Sequence, residues 1–184
     1  EVDKIKPDVV IIATGVKPFT PEIPGLKLAN VVSAEDVLLG KAKVGDKVIV
    51  VGGELVGCET ALFLADKGKK VTVTRRGQYM AAKMHSGPRA LLLSRLAEKG
   101  VRMFTGVTYI QASDSGLTFA TREGQDMASI EADTIVLATG STPNTDLLAA
   151  LDGKAPEIYC IGDCIQPRGI SEAISEAYDI ARKL

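Results

Sequence analysis

A buried strand that runs directly into a glycine-rich turn and then a helix constrains the fold of this chain more than any other feature. The apolar segment Lys47–Val51 predicts the strand, Gly52–Gly57 the turn and Leu55–Lys67 the helix. Gly68 ends the helix, and Lys70–Thr74 predicts a second strand. A unit of this kind predicts two parallel strands joined by a right-handed crossover. The apolar face predicted for the helix consists of Leu55, Cys58, Leu62 and Ala65.

The same strand design occurs twice more, once near each end of the chain. Asp8–Gly15 and Thr134–Gly140 are unbroken apolar runs that end in Ala-Thr-Gly, which is typical of strands buried on both faces of a parallel sheet. Val107–Asp133 instead predicts a small antiparallel meander, with turns at Ser113–Gly116 and Glu123–Asp126. The fold class is therefore predicted as α/β and Rossmann-like, with a central parallel sheet, helices and a small antiparallel β-meander.

The remaining elements follow from shorter patterns. The prolines of Lys17–Gly25 exclude a helix there and predict an irregular crossover. Apolar residues at helical spacing, together with Pro88 at a helix start, predict three further helices, and short apolar runs predict two further strands. These helices are predicted at 34–39, 88–100 and 169–184, and the strands at 101–104 and 157–161.

Composition excludes several classes of function. The chain has 184 residues, of which 46% are hydrophobic, and its net charge is −1. It therefore lacks the excess of positive charge that binding to nucleic acid or to a membrane surface requires. No apolar run reaches the roughly 18 to 20 residues of a membrane helix, and the start Glu1–Lys4 is charged, so a cytoplasmic location is expected. The cysteines, Cys58, Cys160 and Cys164, contain no CxxC pair, so neither a disulfide framework nor a metal site is expected. A small molecule is the expected partner, and no residue is assigned a catalytic role.

The turn Gly52–Gly57 lies where a dinucleotide-binding turn lies, between a buried strand and a helix whose first amides can meet a pyrophosphate. Gly52, Gly53 and Gly57 are therefore candidate cofactor-binding residues. The pattern G-x-G-x-x-G would place its middle glycine at position 54, where this chain has Glu54, which adds bulk and like charge beside the phosphates. Either the Glu54 side chain turns to solvent or nucleotide binding is weakened. The alternative is a helix-start turn without a ligand.

Two adjacent arginines, Arg75 and Arg76, follow the second strand of this unit. An acidic residue at that place would hold the adenosine ribose hydroxyls of NAD, whereas the planar fork of arginine suits a 2′-phosphate. The sequence therefore predicts NADPH rather than NADH. The alternative is a pair of solvated loop arginines.

Two acidic residues are further candidates for cofactor contacts. Glu59, on the helix just after Gly57, would project toward the nicotinamide end of a bound dinucleotide; the alternative is stabilisation of the first helical turn by the helix dipole. Asp163, at the end of the last predicted strand, would accept a hydrogen bond from a sugar or ribityl hydroxyl; the alternative is a capping aspartate. Cys58 and Cys164 are expected to be packed thiols.

These residues together resemble the flavoproteins with two dinucleotide-binding domains, that is, an FAD/NAD(P)-binding region of the pyridine nucleotide-disulfide oxidoreductase type. More narrowly, the ending resembles the carboxyl-terminal region of the NADH:flavin oxidoreductases related to 2-enoate reductase, 2,4-dienoyl-CoA reductase and trimethylamine dehydrogenase. The resemblance covers nearly the whole chain and adds Gly140 to the candidate cofactor-binding residues. It is carried by Val50–Thr60, the Ala-Thr-Gly segments at 13–15 and 138–140 with Pro18 and Pro143 after them, Gly162–Cys164, Pro167, Arg168 and Glu172–Tyr178.

The resemblance implies that the chain is part of a larger enzyme. Residues 1–27 would be the rear part of an FAD-binding domain, 28–145 an NAD(P)H-binding domain, and 146–184 the return into the FAD-binding domain, with Asp163 on the ribityl chain. The FAD domain's own glycine turn, a barrel with FMN and substrate, and the cysteines of a 4Fe-4S cluster would lie outside this chain. We therefore expect the isolated chain to be inactive, to retain no FAD and to self-associate through its exposed strands.

The reaction implied for the parent enzyme is transfer of hydride from NAD(P)H to FAD, then of single electrons through the cluster to FMN, and reduction of an activated carbon–carbon double bond. Two alternatives stay open. One is a fragment of a disulfide reductase or NADH oxidase of the same architecture, although the chain lacks the CxxC pair of a thioredoxin-reductase type. The other is a nucleotide-binding module without catalysis.

Overall fold

The computed structural model describes residues 1–28, 30–121 and 126–184, which form two compact units. The continuous unit comprises residues 20–139, and the divided unit comprises residues 1–19 and 140–184. The boundaries predicted at 27/28 and 145/146 concern which cofactor each part binds, so they stay predictions. Residues 123–125 of the turn predicted at Glu123–Asp126 lie outside the described residues.

The observed helices and strands agree closely with the sequence predictions where the elements are long, and less closely where they are short. The elements are α1 (Val2–Ile5), β1 (Val9–Ile12), β2 (Val16–Pro18), β3 (Val31–Ser33), α2 (Ala34–Leu38), β4 (Lys47–Val51), α3 (Leu55–Asp66), β5 (Lys70–Thr74), α4 (Ser86–Glu98), β6 (Arg102–Phe104), β7 (Thr108–Ser113), β8 (Gly116–Thr121), β9 (Asp126–Glu131), β10 (Thr134–Leu137), β11 (Ser141–Pro143), α5 (Asp146–Leu151), β12 (Glu157–Cys160), a 3-10 turn (Gly162–Cys164) and α6 (Ile170–Ala181).

The continuous unit is built on a five-stranded parallel sheet with the strand order β3-β10-β4-β5-β6. Strand β4 lies in the middle of this sheet, which explains its unbroken apolar sequence. Val48 and Val50 pack into the cluster that contains residues of α3 and α4, while Ile49 and Val51 pack into the cluster of the antiparallel sheet β7-β8-β9. The predicted α/β, Rossmann-like fold with a small antiparallel meander is confirmed.

Helix α3 buries a wider face than the sequence predicted. Cys58 and Leu62 are buried as expected, but Leu55 is exposed. Helices α2 and α4 both contact α3 in addition to the sheet, so residues on other sides of the helix are also covered. The buried residues of α3 are Gly57, Cys58, Thr60, Ala61, Leu62 and Leu64.

The divided unit contains two small pairs of strands. Strands β1 and β12 are parallel, whereas β2 pairs with β11 in an antiparallel ribbon. The sequence predicted an irregular crossover from Lys17 onward, and the start of that segment is instead the short strand β2. A proline is tolerated there because Pro18 is the last residue of an edge strand.

Helix α6 presents apolar side chains to solvent in this structure. Ile170, Ile174 and Tyr178 lie one helical turn apart, and their exposed fractions are 81%, 64% and 58%. The self-association predicted from the sequence concerns the strands β1 and β12 rather than this helix, and it stays a prediction. None of the helices in the described part of the chain combines the length and apolar character that a membrane crossing requires.

Asp133 fastens the beginning of β4, and this contact gives a prediction for the pH dependence of stability. Its Oδ2 accepts hydrogen bonds from the backbone N–H groups of Asp46 and Lys47, both at 2.8 Å. The bond from Lys47 is the largest cause of a lowered pKa of the Asp133 carboxyl. The stabilisation is therefore present above the ordinary pKa of about 3.9 and disappears as the pH falls through the lowered value.

We expect Asp133→Asn, which removes the charge and keeps the shape, to lower Tm at pH 7 and to differ less from the wild type at pH 3. Thermal melts at both pH values measure this difference. The control is Asp114→Asn, which changes an exposed carboxyl in the turn after β7. A deficit that stayed constant between pH 7 and pH 3 would contradict the assignment.

Candidate functional site

In the turn between β4 and α3, Gly52 and Gly57 are packed so closely against backbone atoms that a side chain does not fit at either position. Gly52 has a φ of +112°, and a Cβ added there would lie 2.2 Å from the carbonyl oxygen of Ala138. A Cβ on Gly57 would lie 1.9 Å from the carbonyl oxygen of Gly52. The turn therefore brings the first turn of α3 against the carboxyl ends of β4 and β10, which is the edge where parallel α/β sheets bind ligands.

Glu54 neither turns away to solvent nor stands unpaired at the turn. Its Oε1 forms an ion pair with Nη2 of Arg75, and its Oε2 accepts a hydrogen bond from the N–H of Lys83 at 3.4 Å. The structure gives this carboxylate partners that the sequence did not indicate, and weakened nucleotide binding stays a prediction. The charge that stands in place of the middle glycine is balanced by an arginine from the next strand end.

The segment after β5 folds back over the turn. The carbonyl oxygen of Gly53 accepts hydrogen bonds from Nη1 of Arg75 at 3.1 Å and from the N–H of Ala81 at 2.7 Å. A Cβ on Gly53 would lie 2.3 Å from Sδ of Met80, so a larger residue there would have to displace the Met80 side chain. Arg89 of α4 holds the segment in place, since its Nε donates to the carbonyl oxygen of Met80 at 2.7 Å.

Arg76 takes a different direction from Arg75. It is exposed, and its guanidinium carbon lies 5.4 Å from the centre of the Tyr109 ring, which is cation–π distance. The Tyr109 hydroxyl lies 3.1 Å from Oγ1 of Thr74, the last residue of β5. Sequence reasoning missed Tyr109, because nothing local shows that β7 brings its ring to the end of β5.

The other predicted residues are spread over both units. Glu59 is exposed and is the fifth residue of α3, so it lies beyond the first turn, where the helix dipole acts most strongly. Gly140 is exposed with a φ of +94° and belongs to the divided unit. The structure therefore brings together Gly52, Gly53, Glu54, Gly57 and Arg75, with Arg76 beside them.

Asp163 lies in the 3-10 turn of the divided unit and closes the loop that follows it. Its Oδ1 accepts a hydrogen bond from the N–H of Arg168 at 3.0 Å. It does not cap α6, whose N-cap residue is Gly169. Its Oδ2 makes no hydrogen bond within residues 1–28, 30–121 and 126–184, so one oxygen can still accept.

The cysteine thiols are held in packed surroundings. Burial, the largest cause, raises the pKa of the Cys58 thiol to about 11, and its Sγ lies 3.6 Å from the carbonyl oxygen of Gly53. Cys164 is buried and its Sγ donates to the carbonyl oxygens of Ile12 and Ile161. Both side chains are buried, as the sequence predicted, and the raised pKa keeps the Cys58 thiol protonated near neutral pH.

A groove of about 510 Å³ opens at the opposite, amino-terminal edge of the parallel sheet. Three of the cations around it are already paired, as Lys47 with Glu131, Lys69 with Asp46, and Lys99 with Asp66. Ligands of parallel α/β sheets bind at the carboxyl edge. The glycine turn, rather than this groove, is therefore the candidate site.

A parallel sheet with a close-packed glycine turn at its carboxyl edge defines a Rossmann-like α/β protein of the dinucleotide-binding class. The comparison with protein families gives the particular group: the model for pyridine nucleotide-disulphide oxidoreductases matches residues 1–180. The chain belongs to this family.

Individual relatives are similar over nearly the whole of this chain. An NADH oxidase of Thermoanaerobacter brockii is 36% identical over 183 residues, covering 96% of this chain and 28% of the relative. A cinnamate reductase of Clostridium sporogenes is 32% identical over 180 residues, covering 96% of this chain and 26% of the relative. The solved structure of a 2-naphthoyl-CoA reductase in complex with 2-naphthoyl-CoA superposes with a TM-score of 0.94 and 35% identity, covering all of this chain and 28% of that one. The chain therefore spans between a quarter and a third of the length of these relatives.

Proposed function

We propose that the continuous unit binds NAD(P)H, with NADPH preferred, and that the chain is the nucleotide-binding part of a flavoprotein oxidoreductase. The observation that carries the proposal is the glycine turn, in which the Cβ positions of Gly52 and Gly57 are filled by neighbouring backbone, followed by arginines directly after β5. Membership of the pyridine nucleotide-disulphide oxidoreductase family supports it.

The residues of the turn fit the pyrophosphate of a dinucleotide. Gly52 and Gly57 allow α3 to begin directly against the sheet, so the first amides of a 12-residue helix are directed to one place. Arg75 offsets the negative charge of Glu54, which would otherwise repel the phosphates. These residues bind and orient the nucleotide, which supplies a hydride when bound.

The divided unit provides only part of what a site for FAD requires. In the divided unit β1 leads through Ala13, Thr14 and Gly15 into β2 rather than into a helix, so this strand end offers no helix N-terminus to a pyrophosphate. Asp163, with one carboxylate oxygen left to accept, is the residue that would hold a ribityl hydroxyl. We assign FAD to the whole parent enzyme, with FMN and a 4Fe-4S cluster outside this chain.

The reaction we propose for the parent is reduction of an activated carbon–carbon double bond. The cinnamate reductase and the 2-naphthoyl-CoA reductase among the relatives support it. The relative that is an NADH oxidase favours a second candidate, in which oxygen accepts the electrons. NADPH oxidation by the full-length protein that depends on cinnamate under anaerobic conditions supports the first, and oxidation that needs only oxygen supports the second.

Replacing both arginines tests the nucleotide preference. We expect the double variant Arg75→Ser, Arg76→Ser to bind NADPH at least about 10-fold more weakly, since one charge-assisted hydrogen bond contributes about 1.5 to 3 kcal/mol. NADH lacks the 2′-phosphate and should lose much less. Titration of each nucleotide, followed by its fluorescence, measures both dissociation constants.

A matched control changes two cations at the opposite end of the same strand. Lys69→Ser with Lys70→Ser removes the same net charge, about 16 Å away along β5. This variant should leave the ratio of the NADPH and NADH dissociation constants unchanged. Equal losses of both nucleotides in the arginine variant, or no loss at all, would contradict the proposed preference.

A further inference from the structure

The two adjacent arginines differ in what they already contact, and this difference assigns them separate tasks. Arg75 and Arg76 follow β5 directly, and their side chains reach different neighbours. Arg75 reaches the glycine turn, and Arg76 reaches β7.

Arg75 already binds two groups within the protein. Its Nη2 pairs with the Glu54 carboxylate, its Nη1 donates to the Gly53 carbonyl oxygen at 3.1 Å, and its side chain is 16% exposed. To bind a phosphate it would have to give up its ion pair with the Glu54 carboxylate and its hydrogen bond to the Gly53 carbonyl oxygen, and the Glu54 charge would then stand uncompensated at the glycine turn. The geometry therefore indicates that Arg75 neutralises the Glu54 carboxylate and holds it in place.

Arg76 keeps its hydrogen-bonding edge available. Its guanidinium carbon lies over the Tyr109 ring at cation–π distance, and within residues 1–28, 30–121 and 126–184 its N–H groups donate no hydrogen bond, so they can meet a planar or tetrahedral anion. Because Arg76 is exposed at the strand end beside the glycine turn, its position suits the adenosine end of a dinucleotide.

Tyr109 is held firmly enough to act as a platform. Its hydroxyl is hydrogen-bonded with Thr74, and in the β7–β8 pairing it lies directly opposite Phe119, which is fully buried. Burial raises the pKa of the Tyr109 hydroxyl, so the ring carries no charge near neutral pH. The ring therefore fixes where the Arg76 guanidinium can stand.

We propose that Arg76 alone recognises the 2′-phosphate of NADPH, that Tyr109 is the positioning residue for Arg76, and that Arg75 neutralises Glu54 without contacting the 2′-phosphate. This inference rests on the proposed function, which it deepens by separating the two arginines. It replaces the sequence-based hypothesis that they act as a pair.

Single substitutions in the whole chain test the division of tasks through the ratio of the NADPH and NADH dissociation constants. Arg76→Gln should weaken NADPH about 10- to 100-fold and change NADH less than about 3-fold, as expected for one charge-assisted contact. Arg75→Gln should weaken both nucleotides by the same factor, because it exposes the pyrophosphate to the Glu54 charge. Adding Glu54→Gln to Arg75→Gln should restore most of that loss.

The tyrosine variants test the platform. Tyr109→Phe keeps the ring and should keep the nucleotide ratio, whereas Tyr109→Leu should lower the preference for NADPH about 2- to 5-fold, the size expected of an exposed cation–π contact. Circular dichroism of each variant shows that it is folded. A structural role alone would weaken both nucleotides together, and would not distinguish phenylalanine from leucine in the ratio.

Three results would overturn the inference. They are a loss specific to NADPH in Arg75→Gln, an unchanged ratio in Arg76→Gln, and the same ratio for Tyr109→Leu as for the wild type. Each of them leaves nucleotide binding by the wild-type chain intact, and so leaves the proposed function standing. A wild-type chain that binds neither nucleotide would overturn the proposed function together with the inference.

Discussion

Gly57→Ala should lower the stability of the continuous unit by about 3 kcal/mol or more and abolish measurable nucleotide binding. The new Cβ would lie 1.9 Å from the carbonyl oxygen and 2.9 Å from the carbonyl carbon of Gly52, and both atoms belong to the backbone. Neither can move without pulling the glycine turn away from Ala138 of the sheet. The whole first turn of α3 would be displaced, and with it the amides proposed to meet the pyrophosphate.

Thermal melting and NADPH titration measure the two effects of Gly57→Ala. A loss of about 3 kcal/mol corresponds to a Tm lower by roughly 6 to 12 °C in a domain of this size. Gly87→Ala is the matched control, because Gly87 is the second residue of α4 and a Cβ there meets nothing within 4 Å. Alanine should there raise stability by up to about 1 kcal/mol, since it favours a helix more than glycine does.

A Gly57→Ala protein that melted within about 2 °C of the wild type would correspond to a cost below about 1 kcal/mol and would contradict the close approach of helix and turn. Undiminished NADPH binding in the same variant would contradict the placement of the pyrophosphate at the start of α3.

Phe119→Ala should cost about 3 to 5 kcal/mol, the usual range for removing a buried phenylalanine side chain. Phe119 is fully buried in β8 and meets Phe104 of β6 edge to face, with ring centres 5.4 Å apart. It therefore joins the antiparallel sheet to the parallel sheet. The cavity left by the ring would weaken the packing between the two sheets.

Thermal or denaturant unfolding measures this loss, with Met127→Ala as the control. Met127 lies in β9, is paired with Ala120 of β8, and is 63% exposed, so its truncation should change stability by less than about 0.5 kcal/mol. Similar destabilisation by both substitutions would show that Phe119 is not the anchor of the antiparallel sheet. Because Tyr109 lies opposite Phe119, the Phe119 variant should also bind NADPH less selectively.

The parts of the fold that the sequence predicted are those whose pattern is local. Strands β4 and β5 are continuous apolar runs because they lie inside a parallel sheet, and α3 is bounded by glycines, so each could be located from its own residues. The strands β2 and β11 were missed. Each has three residues, and each is a strand only because its partner from the other end of the sequence lies beside it.

In the candidate site, too, the features with a local sequence pattern were predicted and those that depend on distant residues were not. The glycines at 52, 53 and 57 follow from the turn itself, and their tight packing supports the prediction. The partner of Glu54 did not follow, because the ion pair joins the turn to a residue beyond the next strand. Tyr109 was not predicted either, since its position beside Arg76 results from the packing of two sheets.

The short ribbon of β2 and β11 has an evolutionary consequence. The chain leaves the divided unit after Phe19 and returns at Gly140, and the N–H of Phe19 donates to the carbonyl oxygen of Gly140 at 3.0 Å. The two ends of the divided unit that flank residues 20–139 therefore lie side by side. Exchange of residues 20–139 between homologues would need only two junctions that lie side by side, so the coenzyme preference that we propose for this unit could change while the rest of the chain is kept.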